Sequence, residues 1–240
     1  MSATLAATVL IPTYRNGRTL LASVPSALAQ TVEDLEVLVV GDGVLDETRE
    51  IVHELQAADP RVRFFDLPKG AGRGERLRHR VLAEARGEIV CYLWDDDLWL
   101  PDHVATMRAA LQKADVVAGP QVIVQPDGSL RIRSYDLTRA TDRDLLTHPK
   151  SVVPSVPTTF AHTLTFYRRL PHGWRPAPAG YPSDKFMWKQ LFSVLGMRGW
   201  IDAADRPDLP SPRAARLVGG ATVCRTCRLA RDDCLSRWPD

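Results

Sequence analysis

Short apolar runs that lack regular polar alternation constrain the fold of this chain more than any other feature. Residues 35–40 (LEVLVV) and 88–94 (EIVCYLW) are two such runs, and segments with helical spacing lie between them. Strands of this kind are buried on both faces, as in a mostly parallel sheet with helices packed on each side. The sequence therefore predicts an α/β fold with a Rossmann-like central sheet.

The order of the predicted elements supports the same fold. Strands are predicted at residues 8–11, 35–40, 62–65, 88–94 and 159–167, and a hairpin where residues 115–124 and 130–134 flank PDGS. Helices are predicted at residues 19–29 with a bend at Pro25, 47–57, 76–85 closed by Gly87, 101–113 and 183–195. Regular alternation of strand and helix over the first hundred residues indicates βαβ units.

Three polar clusters follow predicted strands. They are PTYRN at residues 12–16, GDGVLD at residues 41–46 and WDDD at residues 94–97. In open α/β sheets, ligands bind beyond the carboxyl ends of the strands. We therefore expect the three clusters to line one crevice.

The most unusual cluster is the run Asp95, Asp96 and Asp97, which lies between two tryptophans in CYLWDDDLWLP. Three adjacent carboxylates in apolar surroundings need a counter-charge, because otherwise their pKa values rise or the turn unfolds. Mg²⁺ or Mn²⁺, held by carboxylates and substrate phosphates, supplies that charge. The alternative is a set of turn and capping residues before the helix at Pro101, which explains one aspartate but explains three poorly.

Five segments in chain order resemble family 2 glycosyltransferases of the GT-A fold: VLIPTYRNGRTL, LEVLVVGDGVLDET, ARGEIVCYLWDDDLWLP, HTLTFYRR and YPSDKFMWKQL. The resemblance runs from about residue 8 to residue 195. It implies an inverting, metal-dependent transferase that moves a sugar from a nucleotide-diphospho-sugar to an acceptor hydroxyl, with Mn²⁺ or Mg²⁺ as cofactor. A UDP-sugar is favoured as the donor because uridine is frequent in the family.

The resemblance also assigns the donor site residue by residue. It makes Asp97 the principal metal ligand, with Asp95 in support, and places Asp96 near the ribose or the sugar. The residues implied in nucleotide-sugar binding are Pro12, Thr13, Tyr14 and Arg15 at the base and ribose, Asp42 at the base, Arg78 near the diphosphate, and Asp95 and Asp96. Two positions depart from the family pattern, since Gly41 replaces an acidic residue and His79 replaces an asparagine.

On the acceptor side, the resemblance makes Asp184 the catalytic base, which accepts the proton of the attacking hydroxyl. The alternative for Asp184 is a helix N-cap that contributes about 1 kcal/mol. Its neighbour Ser183 replaces the glutamate that usually precedes this aspartate. His162 matches a histidine that lies near the donor diphosphate or the acceptor in some family members, and a core histidine is the alternative.

Two other functions are open to the same fold. A sugar-nucleotide pyrophosphorylase needs a glycine-rich loop after the first strand, which PTYRNG does not supply. A non-catalytic nucleotide-sugar-binding protein is favoured by the departures at Gly41, His79 and Ser183, but not by the retention of all three aspartates and Asp184. The acceptor stays open among a glycan, a lipid-linked glycan, a peptide and a small molecule, and the oligomeric state is open as well.

The resemblance implies a single GT-A domain over residues 1–205, with a donor half (1–100) and an acceptor half (101–205), followed by a tail over residues 206–240. In that tail, Cys224, Cys227 and Cys234 indicate a loosely packed segment, with a zinc site as the alternative. A formal net charge of +2 gives no indication of a nucleic-acid partner. No apolar run approaches the roughly 18–20 residues of a membrane span, so we expect a cytoplasmic protein, with peripheral membrane attachment as an alternative.

Overall fold

A computed structural model of the chain describes residues 4–125, 127–153, 156–201 and 222–225. The strands of these residues are β1 (Leu5–Thr13), β2 (Leu35–Asp42), β3 (Val62–Leu67), β4 (Gly87–Tyr92), β5 (Asp97–Trp99), β6 (Val116–Ala118), β7 (Gln121–Val124), β8 (Leu130–Arg133), β9 (Phe160–Thr163), β10 (Gly199–Ile201) and β11 (Thr222–Arg225). The helices are α1 (Gly17–Leu28), α2 (Asp46–Ala58), α3 (Glu75–Leu82), α4 (His103–Leu111), α5 (Ala140–Thr147), α6 (Leu164–Arg168) and α7 (Ser183–Phe192), with a 3-10 turn at Pro157–Thr159.

The larger of two sheets has the strand order β10-β6-β9-β4-β1-β2-β3. Its neighbouring strands run parallel, except that β9 is antiparallel to both β4 and β6. Consecutive parallel strands need crossover connections, and α1 and α2 supply them between β1, β2 and β3. The α/β class and the mostly parallel central sheet that the sequence predicts are therefore confirmed.

Successive residues of the central strands face two separate cores. In β2, Val37 and Val39 belong to an apolar cluster with side chains of α1, α2 and α4. Leu38 and Val40 belong to a second cluster with side chains of α3, α6 and α7. Helices thus cover both faces of the sheet, and this is why the strands carry apolar residues at successive positions rather than in alternation.

A smaller sheet has the order β5-β11-β7-β8. The predicted hairpin is present, because β7 pairs with β8 in antiparallel register from Gln121↔Arg133 to Val124↔Leu130. The predicted strand at residues 115–124 is divided, however, since β6 lies in the large sheet and β7 in the small one. Pro120, which has no backbone N–H to give to a ladder, lies at the division.

Two element predictions are wrong at their ends. Gly87 does not close the helix before it, because α3 ends at Leu82 and Gly87 is the first residue of β4, paired with Leu5 of β1. The strand predicted at residues 159–167 ends at Thr163, whose hydroxyl accepts a hydrogen bond from the Phe166 N–H at 3.1 Å and starts α6. The capping bond competes successfully with continued strand pairing.

The predictions for the C-terminal tail fall largely outside the described residues. Cys227 and Cys234 are among the undescribed ones, and Cys224 is described only through its backbone, which pairs in β11 with β5 and β7. Within the described ranges, every helix is too short or too polar to cross a membrane. The division of the chain at residue 205 and the cytoplasmic location stay predictions.

Candidate active site

The three polar clusters of the sequence meet at the carboxyl edge of the large sheet. Strand β1 lies between β2 and β4, so that the residues following these three strands are neighbours. The Asn16 side-chain amide, after β1, donates a hydrogen bond to Asp95, after β4, at 3.1 Å. The parallel arrangement therefore produces one crevice from segments as far as 79 residues apart in the chain.

The three aspartates after β4 differ in exposure. Asp95 is 8% exposed and Asp97 only 2%, whereas Asp96 is the exposed member of the triplet, although its carboxyl is partly desolvated. The Asp97 carboxylate accepts a hydrogen bond from the Thr158 hydroxyl, which itself accepts one from the Trp94 N–H at 3.1 Å. Desolvation raises the pKa of Asp95 to about 6 and also raises the pKa of Asp96. Asp96 is thus the member of the triplet most open to a ligand.

The triplet has the chemistry of a site for a hard divalent cation that phosphates complete. Among the described residues, no three His, Cys, Asp or Glu side chains are grouped closely enough to hold a metal ion by themselves. Mg²⁺ and Mn²⁺ sites in phosphate-binding enzymes commonly use one or two carboxylates, water and the substrate's phosphates. One exposed carboxylate, with raised pKa values on Asp95 and Asp96, fits such a site.

The part of the crevice beside the ends of β1 and β2 contains Tyr14, Arg15, Asp42 and Lys69. The Lys69 ammonium forms an ion pair with the Asp42 carboxylate, whose other oxygen accepts a hydrogen bond from the Gly70 N–H at 2.7 Å. The Tyr14 ring lies 4.9 Å from the Lys69 nitrogen and 4.8 Å from the Arg15 guanidinium carbon. Lys69 was not among the predicted site residues, although the glycine-rich loop that carries it, PKGAGRG, was visible in the sequence.

Pro12 and Thr13, the other two predicted residues of the first loop, are the last residues of β1. Thr13 is buried and Pro12 is half-buried, and the β1–β2 register places them opposite Val40 and Gly41. Their backbone therefore lies at the sheet edge from which the crevice opens. The structure brings all the predicted donor-side residues of β1 and β2 to this one edge.

Arg78 on α3 connects the aspartate triplet with α7. Its guanidinium carbon lies 4.2 Å from the Trp174 ring centroid and 5.7 Å from that of Trp94, the residue before the triplet. Its Nη1 donates to the Arg73 carbonyl at 2.9 Å and its Nη2 to the Ser183 hydroxyl at 3.3 Å. The Nε of this buried side chain has no partner among the described residues. A buried donor without an acceptor is costly, so the site favours a ligand oxygen there.

Asp184 is half-buried in the first turn of α7, beside Arg78. The N-cap of α7 is Pro182 and no side chain caps the helix, so the structure does not use Asp184 as an N-cap. Desolvation raises the pKa of Asp184 to about 6. The positive charges of Arg78 and Arg73 act to lower this pKa, and the negative charge of Glu75 acts to raise it. A carboxylate of this kind is suited to accept a proton near neutral pH.

His162 is fully buried in β9 and binds only protein groups through its two ring nitrogens. Its Nδ1 lies 3.0 Å from the Thr163 carbonyl and its Nε2 lies 2.8 Å from the Tyr92 hydroxyl. Since a carbonyl only accepts, Nδ1 carries the hydrogen and Nε2 accepts from Tyr92. Desolvation lowers the pKa of His162 to about 4. The structure therefore places His162 in the core and not on the crevice surface.

Sequence reasoning did not identify Trp174, which supports Arg78. The indole Nε1 donates to the Tyr92 hydroxyl at 3.0 Å, and the Trp174 backbone N–H donates to the Tyr167 hydroxyl at 3.0 Å. The preceding Gly173 has φ +56°, and a Cβ there would lie 2.5 Å from the Tyr167 hydroxyl. The sequence signal was the dipeptide Gly173-Trp174, a turn glycine next to a large aromatic residue.

Comparison with known protein families matches residues 8–174 to glycosyl transferase family 2. Among curated relatives, chondroitin synthase of Pasteurella multocida is 33% identical over 131 residues, which cover 53% of this chain and 13% of that protein. The succinoglycan biosynthesis protein ExoO of Rhizobium meliloti is 30% identical over 148 residues, which cover 62% of this chain and 40% of that protein. The chain therefore matches less than half of the length of these relatives.

Solved structures with the same fold include two that hold a nucleotide-sugar. Staphylococcus aureus TarS (residues 1–349) in complex with UDP-GlcNAc matches with a TM-score of 0.68 and 17% identity, over 98% of this chain and 62% of that one. The mannosyltransferase PcManGT from Pyrobaculum calidifontis, in complex with GDP-Man and Mn²⁺, matches with a TM-score of 0.61 and 17% identity. The match covers 95% of this chain and 59% of that one. These similarities establish the GT-A fold that the sequence predicts.

Proposed function

The chain belongs to glycosyl transferase family 2, and we propose on that premise that it is an inverting glycosyltransferase that uses a nucleotide-diphospho-sugar. The observation that carries the proposal is the position of Arg78. Its guanidinium carbon lies 5.7 Å from the ring centroid of Trp94, the residue before the aspartate triplet, and its Nη2 donates to the hydroxyl of Ser183, the residue before Asp184. Arg78 also interacts electrostatically with Asp184. These contacts support a reaction in which the groups proposed to bind the diphosphate and to accept the proton act at one site.

For the donor, we favour a UDP-sugar. The Asp42 carboxylate and the Lys69 ammonium offer an acceptor and a donor side by side, which complement the N3–H and an adjacent carbonyl of uracil. TarS, which shares the fold, has been solved with UDP-GlcNAc. The acceptor is a hydroxyl of a glycan, a lipid-linked glycan, a peptide or a small molecule.

We propose Mn²⁺ or Mg²⁺ as the metal. The exposure of the three aspartates favours a different principal metal ligand from Asp97, which the resemblance implies. Because Asp96 is exposed and Asp97 is buried against Thr158, we propose Asp96 as the carboxylate that faces the cation. Asp97 and Asp95 then shape the turn and add negative charge behind it. When bound, such a cation neutralises charge on the departing nucleoside diphosphate.

The chain's own residues account for the proton and for part of the charge in the proposed reaction. The acceptor oxygen attacks C1 of the donor sugar, its proton passes to the Asp184 carboxylate, and the C1–O bond breaks with its electron pair on the diphosphate. The positive charge of Arg78 is placed to stabilise that leaving group. Because Asp184 must be ionised to accept the proton, the rate is expected to fall below about pH 6.

Turnover of UDP-sugars tests the catalytic part of this proposal. With UDP-GlcNAc or UDP-glucose and Mn²⁺, Asp184→Asn should lower UDP release by roughly 100-fold or more while UDP binding is retained. Asp144→Asn, at an exposed position on α5, is the matched control and should behave as wild type. Full turnover by Asp184→Asn would exclude this base, and UDP binding by the wild type without any turnover would favour the non-catalytic alternative.

Thermal-shift measurements with UDP, GDP, CDP and ADP, each with Mn²⁺ or with EDTA, test the donor and the metal. A bound ligand raises the stability in proportion to RT ln(1 + [L]/Kd), so UDP with Mn²⁺ is expected to give the largest shift. That shift should disappear in Asp96→Asn. If Asp97→Asn abolishes it in a folded protein and Asp96→Asn does not, Asp97 is the principal ligand, as the resemblance implies.

A further inference from the structure

Glu75 is a buried carboxylate that the proposed reaction does not use. It is the first residue of α3 and is 2% exposed. Its Oε2 accepts a hydrogen bond from the Arg73 N–H at 2.8 Å. Desolvation acts to raise the pKa of Glu75, but its own backbone N–H, the Ser183 hydroxyl and the Arg73 N–H outweigh it and lower the pKa. Glu75 is therefore an ionised side chain that contacts Ser183, the neighbour of Asp184.

Ser183 forms a bridge between Glu75 and Arg78. Its hydroxyl accepts from Arg78 Nη2 at 3.3 Å and donates to the Glu75 carboxylate. Although Glu75 and Ser183 are distant in the sequence, α3 thus brings a carboxylate into contact with Ser183, the residue before Asp184.

The charges around Asp184 come from three elements. Arg78 and Glu75 lie on α3, Arg73 lies in the loop before α3, and Lys185 follows Asp184 on α7. The Lys185 ammonium donates to the His148 and Ser151 carbonyls at 3.1 and 2.7 Å. The largest electrostatic interaction of Arg78 is with Asp184, and the next largest is with Glu75. Asp184 and Glu75 thus make the two largest electrostatic contributions of carboxylates to one buried guanidinium, ahead of Asp42.

We propose that Glu75 is a positioning residue that supplies the second carboxylate beside Asp184 and shares the charge of Arg78, so that Asp184 stays a sufficiently strong base. This inference rests on the proposed function, because it assigns Asp184 as the base. Without Glu75, the attraction between Arg78 and Asp184 would no longer be opposed by a second nearby carboxylate, and the ionised form of Asp184 would be favoured more strongly. An aspartate stabilised in this way accepts a proton less readily.

The test is a titration of Asp184 in the full chain with ¹³C-labelled aspartate, followed by NMR. Asp184→Asn identifies the resonance by its absence. Glu75→Gln keeps the shape of the side chain and removes its charge, and should lower the Asp184 midpoint by roughly one pH unit. Glu75→Asp keeps the charge and should give a midpoint close to that of wild type. Glu84→Gln, an exposed glutamate two residues after α3, is the control and should not move it.

The same variants give a kinetic readout with UDP-GlcNAc and Mn²⁺. The acidic limb of the pH profile should move to lower pH in Glu75→Gln, with a several-fold lower plateau, and should stay in place in Glu75→Asp. An unchanged Asp184 midpoint in folded Glu75→Gln would overturn the inference and leave the proposed function intact. Normal turnover by Asp184→Asn would instead overturn the proposed function, whatever the titration shows.

Discussion

At the scale of single residues, the surroundings of Arg78 decide what the crevice can bind. The guanidinium is buried between the Trp174 and Trp94 rings, and its Nε has no partner among the described residues. Trp174 is itself fixed by hydrogen bonds to the Tyr92 and Tyr167 hydroxyls. A cation held in this way keeps its position with little loss of side-chain freedom on binding, which favours an anionic ligand such as a diphosphate.

This arrangement predicts that Trp174 contributes to ligand binding and not only to packing. Trp174→Leu should weaken binding of UDP with Mn²⁺ about tenfold, because a desolvated cation–π contact contributes roughly 1–2 kcal/mol. Trp174→Phe, which keeps a ring over Arg78, should retain most of the affinity. Isothermal titration calorimetry measures both.

Trp188 provides the matched control for this prediction. It is as buried as Trp174 and stacks on Phe160 at 4.4 Å, without a ring contact to Arg78. Trp188→Leu and Trp174→Leu should each lower the free energy of unfolding by roughly 3 kcal/mol, because each leaves a cavity. Equal loss of UDP affinity in the folded Trp188 variant would show that packing alone explains the effect.

At the scale of elements, close approach between β1 and β4 sets the geometry of the sheet beneath the crevice. Gly87 begins β4 directly opposite Leu5, and a Cβ at Gly87 would lie 2.2 Å from the Thr8 nitrogen. That neighbour is backbone of a central strand, which cannot move aside as the end of a flexible side chain can. The position therefore requires glycine for steric reasons and not for its dihedral freedom.

Gly87→Ala should accordingly lower the free energy of unfolding by about 3 kcal/mol, at the upper end of the range for overpacked cores. Urea unfolding at pH 7 measures the change. Gly128→Ala separates the two possible causes, since Gly128 has φ +83° but nothing within 4 Å of an added Cβ. Gly128→Ala should cost only about 1 kcal/mol, from backbone strain. A similar small cost for both variants would contradict the steric argument.

At the scale of the whole molecule, Glu36 near the start of β2 links β1, β3 and the segment before β4 by hydrogen bonds, at the opposite end of β2 from the crevice. Its buried carboxylate accepts hydrogen bonds from Thr8 on β1 at 2.9 Å, Arg63 on β3 at 2.9 Å and the Arg86 N–H before β4 at 2.7 Å. Desolvation acts to raise the pKa of Glu36, but these bonds prevail and lower it. Breaking this arrangement would leave two arginines without their shared partner.

The lowered pKa predicts a pH-dependent contribution to stability. The stabilisation by Glu36 is fully present above about pH 4.5, its unfolded value, and is lost as the pH falls through the lower folded value. Glu36→Gln should therefore cost roughly 2–3 kcal/mol at pH 7, because both arginines are partly exposed, and the difference from wild type should shrink in acid. Urea unfolding between pH 7 and pH 3 measures this. A difference that is constant with pH would contradict the assignment.

The sequence by itself determined the α/β class, the order of most elements and the convergence of three polar clusters. Unbroken apolar runs indicate strands covered on both faces, and parallel strands bring their carboxyl ends to one edge. These properties are local or follow from strand direction alone. The resemblance implied that Arg78 lies near the diphosphate but did not place it beside Asp184. The end of β9 was not predicted either, because a single capping hydroxyl decided it.

Only the tertiary structure decided which members of the clusters are open to a ligand and what supports them. The resemblance makes Asp97 the principal metal ligand of the triplet, but the turn geometry buries Asp97 and exposes Asp96. The pairing of Lys69 with Asp42, the stacking of Trp174 on Arg78 and the contact of Glu75 with Ser183 join distant segments. Such contacts depend on how helices pack on the sheet, which the chemistry of neighbouring residues does not fix.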